Sequence, residues 1–138
     1  MEHTIHILLV EDSVVDAELI TEAFKDAGLR HQITTVHDGE KALSFVKMKK
    51  PDLILLDLNI PKKNGLEVLK ELKSHEKLKI IPVIVLTNSS SKDDIIKAYK
   101  SYCNAYIRKP IGFEQIIESI KNIDDFWVKL VNLPTKIK

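Results

Sequence analysis

Three acids stand where short apolar runs end. Glu11 and Asp12 follow the run 5–10, and Asp57 follows the run 53–56. Carboxylates brought into one crevice repel each other unless a cation lies between them. Hard oxygen ligands with positions left open suit Mg²⁺, which keeps waters or phosphate oxygens around it. Glu11, Asp12 and Asp57 are therefore read as a Mg²⁺ site, with the backbone carbonyl of Asn59 as a further ligand. An isolated acid pair is more often a helix cap or a turn. The equivalent placing of Asp57 after a second buried run favours the metal.

Asp57 is also a nucleophile candidate, because a carboxylate can attack phosphorus and form an acyl phosphate. Phosphoryl transfer needs charge neutralisation and positioning more than covalent help. Lys109 offers a mobile point charge, and Thr87 a hydroxyl donor. Taken singly, each has an ordinary reading, as a solvated lysine and a strand-end threonine. The Lys109–Pro110 bond leaves two readings open. A cis bond would turn the lysine head toward the crevice, and a trans bond would start the next helix.

These residues need elements to carry them. The runs 5–10, 31–36, 53–56, 80–86 and 105–107 read as five strands, with Pro82 at the start of the fourth. Amphipathic stretches lie between them. Ser13 caps the first helix, with Asp16 three residues on as in a capping box. Ala17, Ile20, Phe24 and Ala27 form its inner stripe, and Gly28 ends it. Asp38-Gly39 opens the second helix, with Ala42, Phe45 and Val46 inside. Asn64-Gly65 opens the third, with Leu66, Leu69 and Leu72 inside. Ser91 opens the fourth, and Gly112 or Phe113 the fifth. Strand and helix alternate five times, which predicts an α/β fold with a parallel sheet covered on both faces. In such a sheet, ligands bind beyond the C-terminal strand ends. That edge receives Glu11, Asp12, Asp57, Thr87 and Lys109.

Residues 1–123 are expected to form one domain. Residues 124–138 are expected to be an extension, the end of the fifth helix plus a tail, with no separate output domain. Pro134 ends any helix there, and residues 135–138 read as frayed. Core packing and a dimerising apolar patch are equally open for Phe126, Trp127 and Leu130. The same question attaches to Ile95, Ile96 and Tyr99 of the fourth helix.

Lys plus Arg (21) nearly balances Asp plus Glu (20), so no field draws the chain to nucleic acid or to a membrane surface. A single cysteine, Cys103, excludes an internal disulfide and fits a reducing cytoplasm. The N-terminus has no signal-peptide pattern. His3, His6, His31, His37 and His75 are not at zinc spacing and read as scattered structural or surface residues.

The residues resemble response-regulator receiver domains of two-component signalling. The carrying motifs are Leu8-Leu9-Val10-Glu11-Asp12, the stretch from Asp57-Leu58-Asn59-Ile60-Pro61 to Asn64-Gly65, Thr87, and Lys109-Pro110. They span residues 5–122. The resemblance implies a flavodoxin-like fold with strand order 2-1-3-4-5. It also implies a phosphoryl group passed from a sensor histidine kinase to Asp57 with Mg²⁺. The threonine, Thr87, then moves toward the phosphoryl group. Tyr106 matches an aromatic that turns inward, biasing the surface of helix four, strand five and helix five toward a protein or phosphotransfer partner.

A closer resemblance is to small stand-alone regulators paired with phytochrome-type histidine kinases. It rests on Val10-Glu11-Asp12-Ser13, the stretch 57–63, Phe126-Trp127 and Leu133-Pro134, and it adds a homodimer to the expected partners. Glu11 departs from the aspartate of many receivers but keeps the charge. Lys62-Lys63 reads either as a solvated loop or as a kinase contact. Asn59 and Ser89 are expected to tune hydrolysis of the phosphate.

Other functions fit less well. A haloacid-dehalogenase-type phosphatase also uses a strand-end aspartate, but its second acid is replaced here by Asn59. No phosphate loop surrounds the four glycines, at positions 28, 39, 65 and 112. A receiver-like module that binds partners without phosphorylation remains the main alternative.

Overall fold

The computed structural model describes residues 4–136. His3 and the last two residues of the expected tail, Ile137 and Lys138, lie outside the described residues. The elements run β1 (His6–Val10), α1 (Val14–Asp26), β2 (Gln32–Val36), α2 (Gly39–Met48), β3 (Leu53–Leu56), α3 (Gly65–Ser74), β4 (Val83–Thr87), α4 (Lys92–Lys100), β5 (Ala105–Arg108) and α5 (Phe113–Ile123). The strands are all parallel, in the order β2-β1-β3-β4-β5. This is the flavodoxin-like order expected from the resemblance.

Strand side chains alternate between the two faces. Leu8, Val10, Ile54, Leu56, Val83 and Val85 pack with α2, α3 and Ala98 of α4. Ile7, Leu9, Leu53, Leu55, Ile84 and Leu86 pack with Ala17, Ile20 and Phe24 of α1 and Ile120 of α5. Both faces are covered, which is why the central strands read as unbroken apolar runs. Among the described residues no helix is long and apolar enough to cross a membrane.

Polar caps fix where the helices begin. Ser13, Asp38, Asn64 and Ser91 each accept a backbone N–H three residues on. Asn64 and Glu67 form the full reciprocal pair. Gly28 ends α1 at φ 74°, and Gly112 caps α5 at φ 94°.

Three expectations are corrected. The fourth strand begins at Val83 rather than Ile80, which is exposed. Residues 75–81 form a turn that buries Leu78 and Ile81, and Lys73 Nζ donates to the carbonyls of Lys79 (3.0 Å) and Ile81 (2.9 Å). Ala27 is the half-buried cap of α1, and Ala23 takes its place in the stripe.

The third correction concerns the end of the chain. After α5 it continues without a break into a π-helical segment, Asp124–Leu130, and Pro134 starts a 3-10 turn, Pro134–Lys136. Thr135 is not frayed. Its hydroxyl donates to Asp52, and Lys136 lies 3.6 Å from the same carboxylate. Leu133 is buried, and Trp127, Val128 and Val131 pack against the α1/α5 side of the core. Phe126 and Leu130 remain exposed, so core packing accounts for Trp127 and not for these two.

Candidate functional site

The strand ladder carries on one step past the strands and sets the site's backbone. Glu11 N–H donates to Val36 O (3.0 Å), Asp57 N–H to Val10 O (3.0 Å) and Lys109 N–H to Thr87 O (2.7 Å). Three strands, β1, β3 and β5, therefore deliver the residue that follows them to one edge, where β4 ends in Thr87. Gly65 lets α3 start close behind Asp57, since a Cβ there would stand 2.6 Å from the Asp57 carbonyl oxygen.

Asp57 is buried and well held. Its Oδ1 accepts from the Thr87 hydroxyl (2.9 Å) and from Asn59 N–H (3.0 Å). Its Oδ2 accepts from Lys109 Nζ (2.9 Å). Thr87 is fully buried, so its hydroxyl faces the carboxylate rather than solvent. Glu11 is buried as well. It pairs with Lys109, and its Oε2 accepts from Ser13 N–H (3.2 Å). Carboxylate oxygens of Glu11, Asp12 and Asp57 all lie within 4.8 Å of one another, with Asp12 exposed at the mouth. Among the described residues this is the one group of three or more side chains able to ligate a metal.

The donor set fits a small hard cation. It is all oxygen, it holds more negative charge than one ammonium balances, and one member is open to water. The crowding shows in the titrations. Burial, aided by the charge of Asp57, pushes the Glu11 carboxyl up to about 7 against the opposing pull of the Lys109 ammonium. Burial alone would lower the Lys109 pKa, but Glu11, Asp16 and Asp57 outweigh it and hold the ammonium above its ordinary range. The Asn59 side chain is exposed, and its N–H, not its carbonyl, touches Asp57.

Two arrangements border this centre. Tyr106 is half-buried, and its hydroxyl donates to Ser89 O (2.9 Å). The Ser89 hydroxyl donates to Asp94 (2.6 Å). The loop after β4 is thus tied to both β5 and α4. Burial pushes the Tyr106 phenol up, although the bond to Ser89 works the other way. Lys62 is exposed at φ 68°, while Lys63 turns away to pair with Glu71. There is no cis peptide bond among the described residues, so Lys109–Pro110 is trans.

Sequence reasoning missed one residue. Asp16 was read as the second half of a capping box, but Ser13 N–H goes to Glu11 instead. The Asp16 carboxylate reaches Lys109 Nζ at 2.9 Å. The available signal was its place in the first turn of α1, just after the acid pair.

Of the histidines, His31 is the most constrained. Its Nδ1 accepts from Ile5 N–H (3.1 Å), which leaves the proton on Nε2 to donate to Asp124 (2.6 Å). His6 Nε2 meets Thr34 (2.8 Å), and His37 Nδ1 meets Glu11 O (2.8 Å). Cys103 is buried.

Residues 7–121 match the response regulator receiver domain family. The chain is 41% identical over 135 residues to the response regulator Rcp1 of Synechocystis sp., covering 93% of this chain and 92% of that protein. The Mn²⁺-bound crystal structure of Rcp1 superposes with TM-score 0.86 at 40% identity, covering 94% of this chain and 99% of that one. The phosphorylated cyanobacterial phytochrome response regulator RcpA superposes with TM-score 0.90 at 42% identity, covering 95% and 99%. With the strand order and the acidic edge already in place, this chain belongs to the response regulator receiver domain family, among relatives of the phytochrome response regulators.

Proposed function

We propose that this receiver is a phosphorylation switch whose acceptor is Asp57, loaded by a sensor histidine kinase of the phytochrome type in the cytoplasm. One observation carries the reading. A single buried carboxylate is met at once by an ammonium, a hydroxyl and a backbone N–H, and shares a three-acid cluster with an open side. Phosphoryl transfer needs that environment.

In the proposed reaction an Asp57 oxygen attacks phosphorus. The O–P bond forms as the P–N bond to the donor imidazole breaks, and the imidazole keeps the electron pair and takes up a proton. Lys109 neutralises charge on the transferring oxygens. Thr87 turns its hydroxyl from Asp57 to a phosphoryl oxygen. Glu11, Asp12 and Asp57, with the Asn59 carbonyl, would hold Mg²⁺, which supplies charge neutralisation at the phosphoryl oxygens when bound. The Mn²⁺-bound and phosphorylated relatives support both parts.

Output is proposed to pass through the Thr87–Ser89–Tyr106 connection to the surface of α4, β5 and α5, where Ile96 and Tyr99 are exposed. The reader is then a protein or phosphotransfer partner, not nucleic acid or a membrane. Exposed Val14 and Val15 beside Asp12 offer an apolar rim for the kinase. A homodimer through the exposed Phe126 and Leu130 belongs to the same proposal.

The test is intact mass after incubation with acetyl phosphate and Mg²⁺. Wild type gains one phosphoryl group, and Asp57→Ala and a metal-free control gain none. Wild type that gains no mass and also ignores beryllofluoride would leave a phosphorylation-independent binding module.

A further inference from the structure

Lys109 has three N–H donors, and three carboxylates take them. They are Glu11, Asp57 (2.9 Å) and Asp16 (2.9 Å). Two of these also belong to the three-acid cluster. Asp16 does not. It stands on α1, a turn past Ser13, beside Ala17 and Ile20, which anchor that helix in the core. Its side chain is 35% exposed, against 9% for Lys109.

We infer that Asp16 is a positioning residue for Lys109, the one carboxylate partner that neither a bound cation nor a phosphoryl group recruits away. The inference rests on the phosphoryl-switch reading and adds a residue to it. A cation in the acid cluster draws on Glu11 and Asp57. A phosphoryl group on Asp57 occupies that carboxylate. Both events strip partners from Lys109 as its charge becomes needed. A lysine is a point charge on a flexible four-carbon stem, and freeing it restores rotamer entropy that must be lost again at the transition state. The fixed carboxylate of Asp16 keeps one N–H engaged and leaves the others aimed across the crevice, so reach and direction are set beforehand.

The competing account is that an acid in the first turn of α1 merely suits the helix dipole. A double-mutant cycle separates the two. The rate of adduct formation with acetyl phosphate at saturating Mg²⁺ is measured for wild type, Asp16→Asn, Asp16→Glu, Lys109→Ala and Asp16→Asn/Lys109→Ala. Asp16→Asn is expected to slow uptake about tenfold, and Asp16→Glu to restore part of it. In the Lys109→Ala background the same Asn substitution is expected to change the rate less than about twofold. An independent readout that involves no phosphoryl transfer is the ¹H–¹⁵N resonance of the Lys109 ammonium at saturating Mg²⁺, where the cation engages Glu11 and Asp57. It is expected to be observable in wild type and lost to exchange in Asp16→Asn.

Wild-type rates in Asp16→Asn, or an equal loss with and without Lys109, overturn the inference. Wild type that takes up no phosphoryl group overturns the switch reading instead, and the ammonium resonance then decides alone whether Asp16 holds Lys109.

Discussion

At the scale of single residues, chemistry follows from what a side chain is denied. Cys103 is denied water. Burial pushes its thiol pKa up, although nearby Lys73 pulls the other way. Only the thiolate is nucleophilic, so a raised pKa means a smaller reactive fraction at any pH below it. The native protein should resist iodoacetamide at pH 8, and labelling should rise with the unfolded fraction as urea is added. Rapid labelling of the folded protein would show that the α4–β5 turn opens. Glu11, Asp12, Asp57, Thr87 and Lys109 were legible as residues because each follows an apolar run, and strand ends are easy to find. Asp16 was not, because a helix acid has two local uses, capping and reaching outward. Only the three-dimensional position of Lys109 decides between them. Lys73 escaped for the same reason, since its acceptors lie in a turn and on Asn104, 31 residues away.

Elements show where propensity and packing disagree. Gly65 is the first residue of α3, and alanine is the better helix former there by about 1 kcal/mol. A Cβ would nevertheless press on the backbone of Asp57 and Leu58. Backbone cannot swing aside as a flexible side chain can. Gly65→Ala should therefore lower stability by about 2 kcal/mol net in urea titration, with an overpacking cost of about 3 kcal/mol beating the propensity gain of about 1 kcal/mol. A gain in stability would show that the loop after Asp57 yields. The elements themselves were largely legible, since period-two and period-3.6 patterns survive without knowledge of the fold. The exception was the start of β4. Ile80 and Ile81 look alike in sequence, and only Ile81 is buried. Hydrophobicity does not say which of two neighbours a turn will turn inward.

On the scale of the molecule, the extension behaves as core. Leu133 is buried, and Asp124 with His31 forms a nearly solvent-free pair. Removing one partner of such a pair leaves a buried polar group unsatisfied, so Asp124→Ala should cost about 2–4 kcal/mol. Trp127 is the chain's one tryptophan and sits in this segment. Its fluorescence and far-UV circular dichroism should give coincident urea transitions in wild type, and both should move together in the variant. A tryptophan transition that runs ahead would mark the extension as a separate unit. Core packing of Trp127 was one of two readings open in the sequence, but the His31–Asp124 pair was not visible there, because the partners are 93 residues apart and neither stands in a recognisable motif.

One carboxylate gives the molecule a closed outline. Asp52 stands just before β3, at the edge opposite the crevice. Its Oδ2 takes His6 N–H at 2.7 Å, while its Oδ1 takes the hydroxyl of Thr135. Residues near the two ends of the described chain are thus gripped by the same side chain. A backbone joined there by a short peptide would be a ring, and new ends could be cut into it elsewhere without changing which residues are neighbours. A fluorophore or a second protein attached beside His6 or Thr135 would share one side of the molecule and leave the acidic face unobstructed.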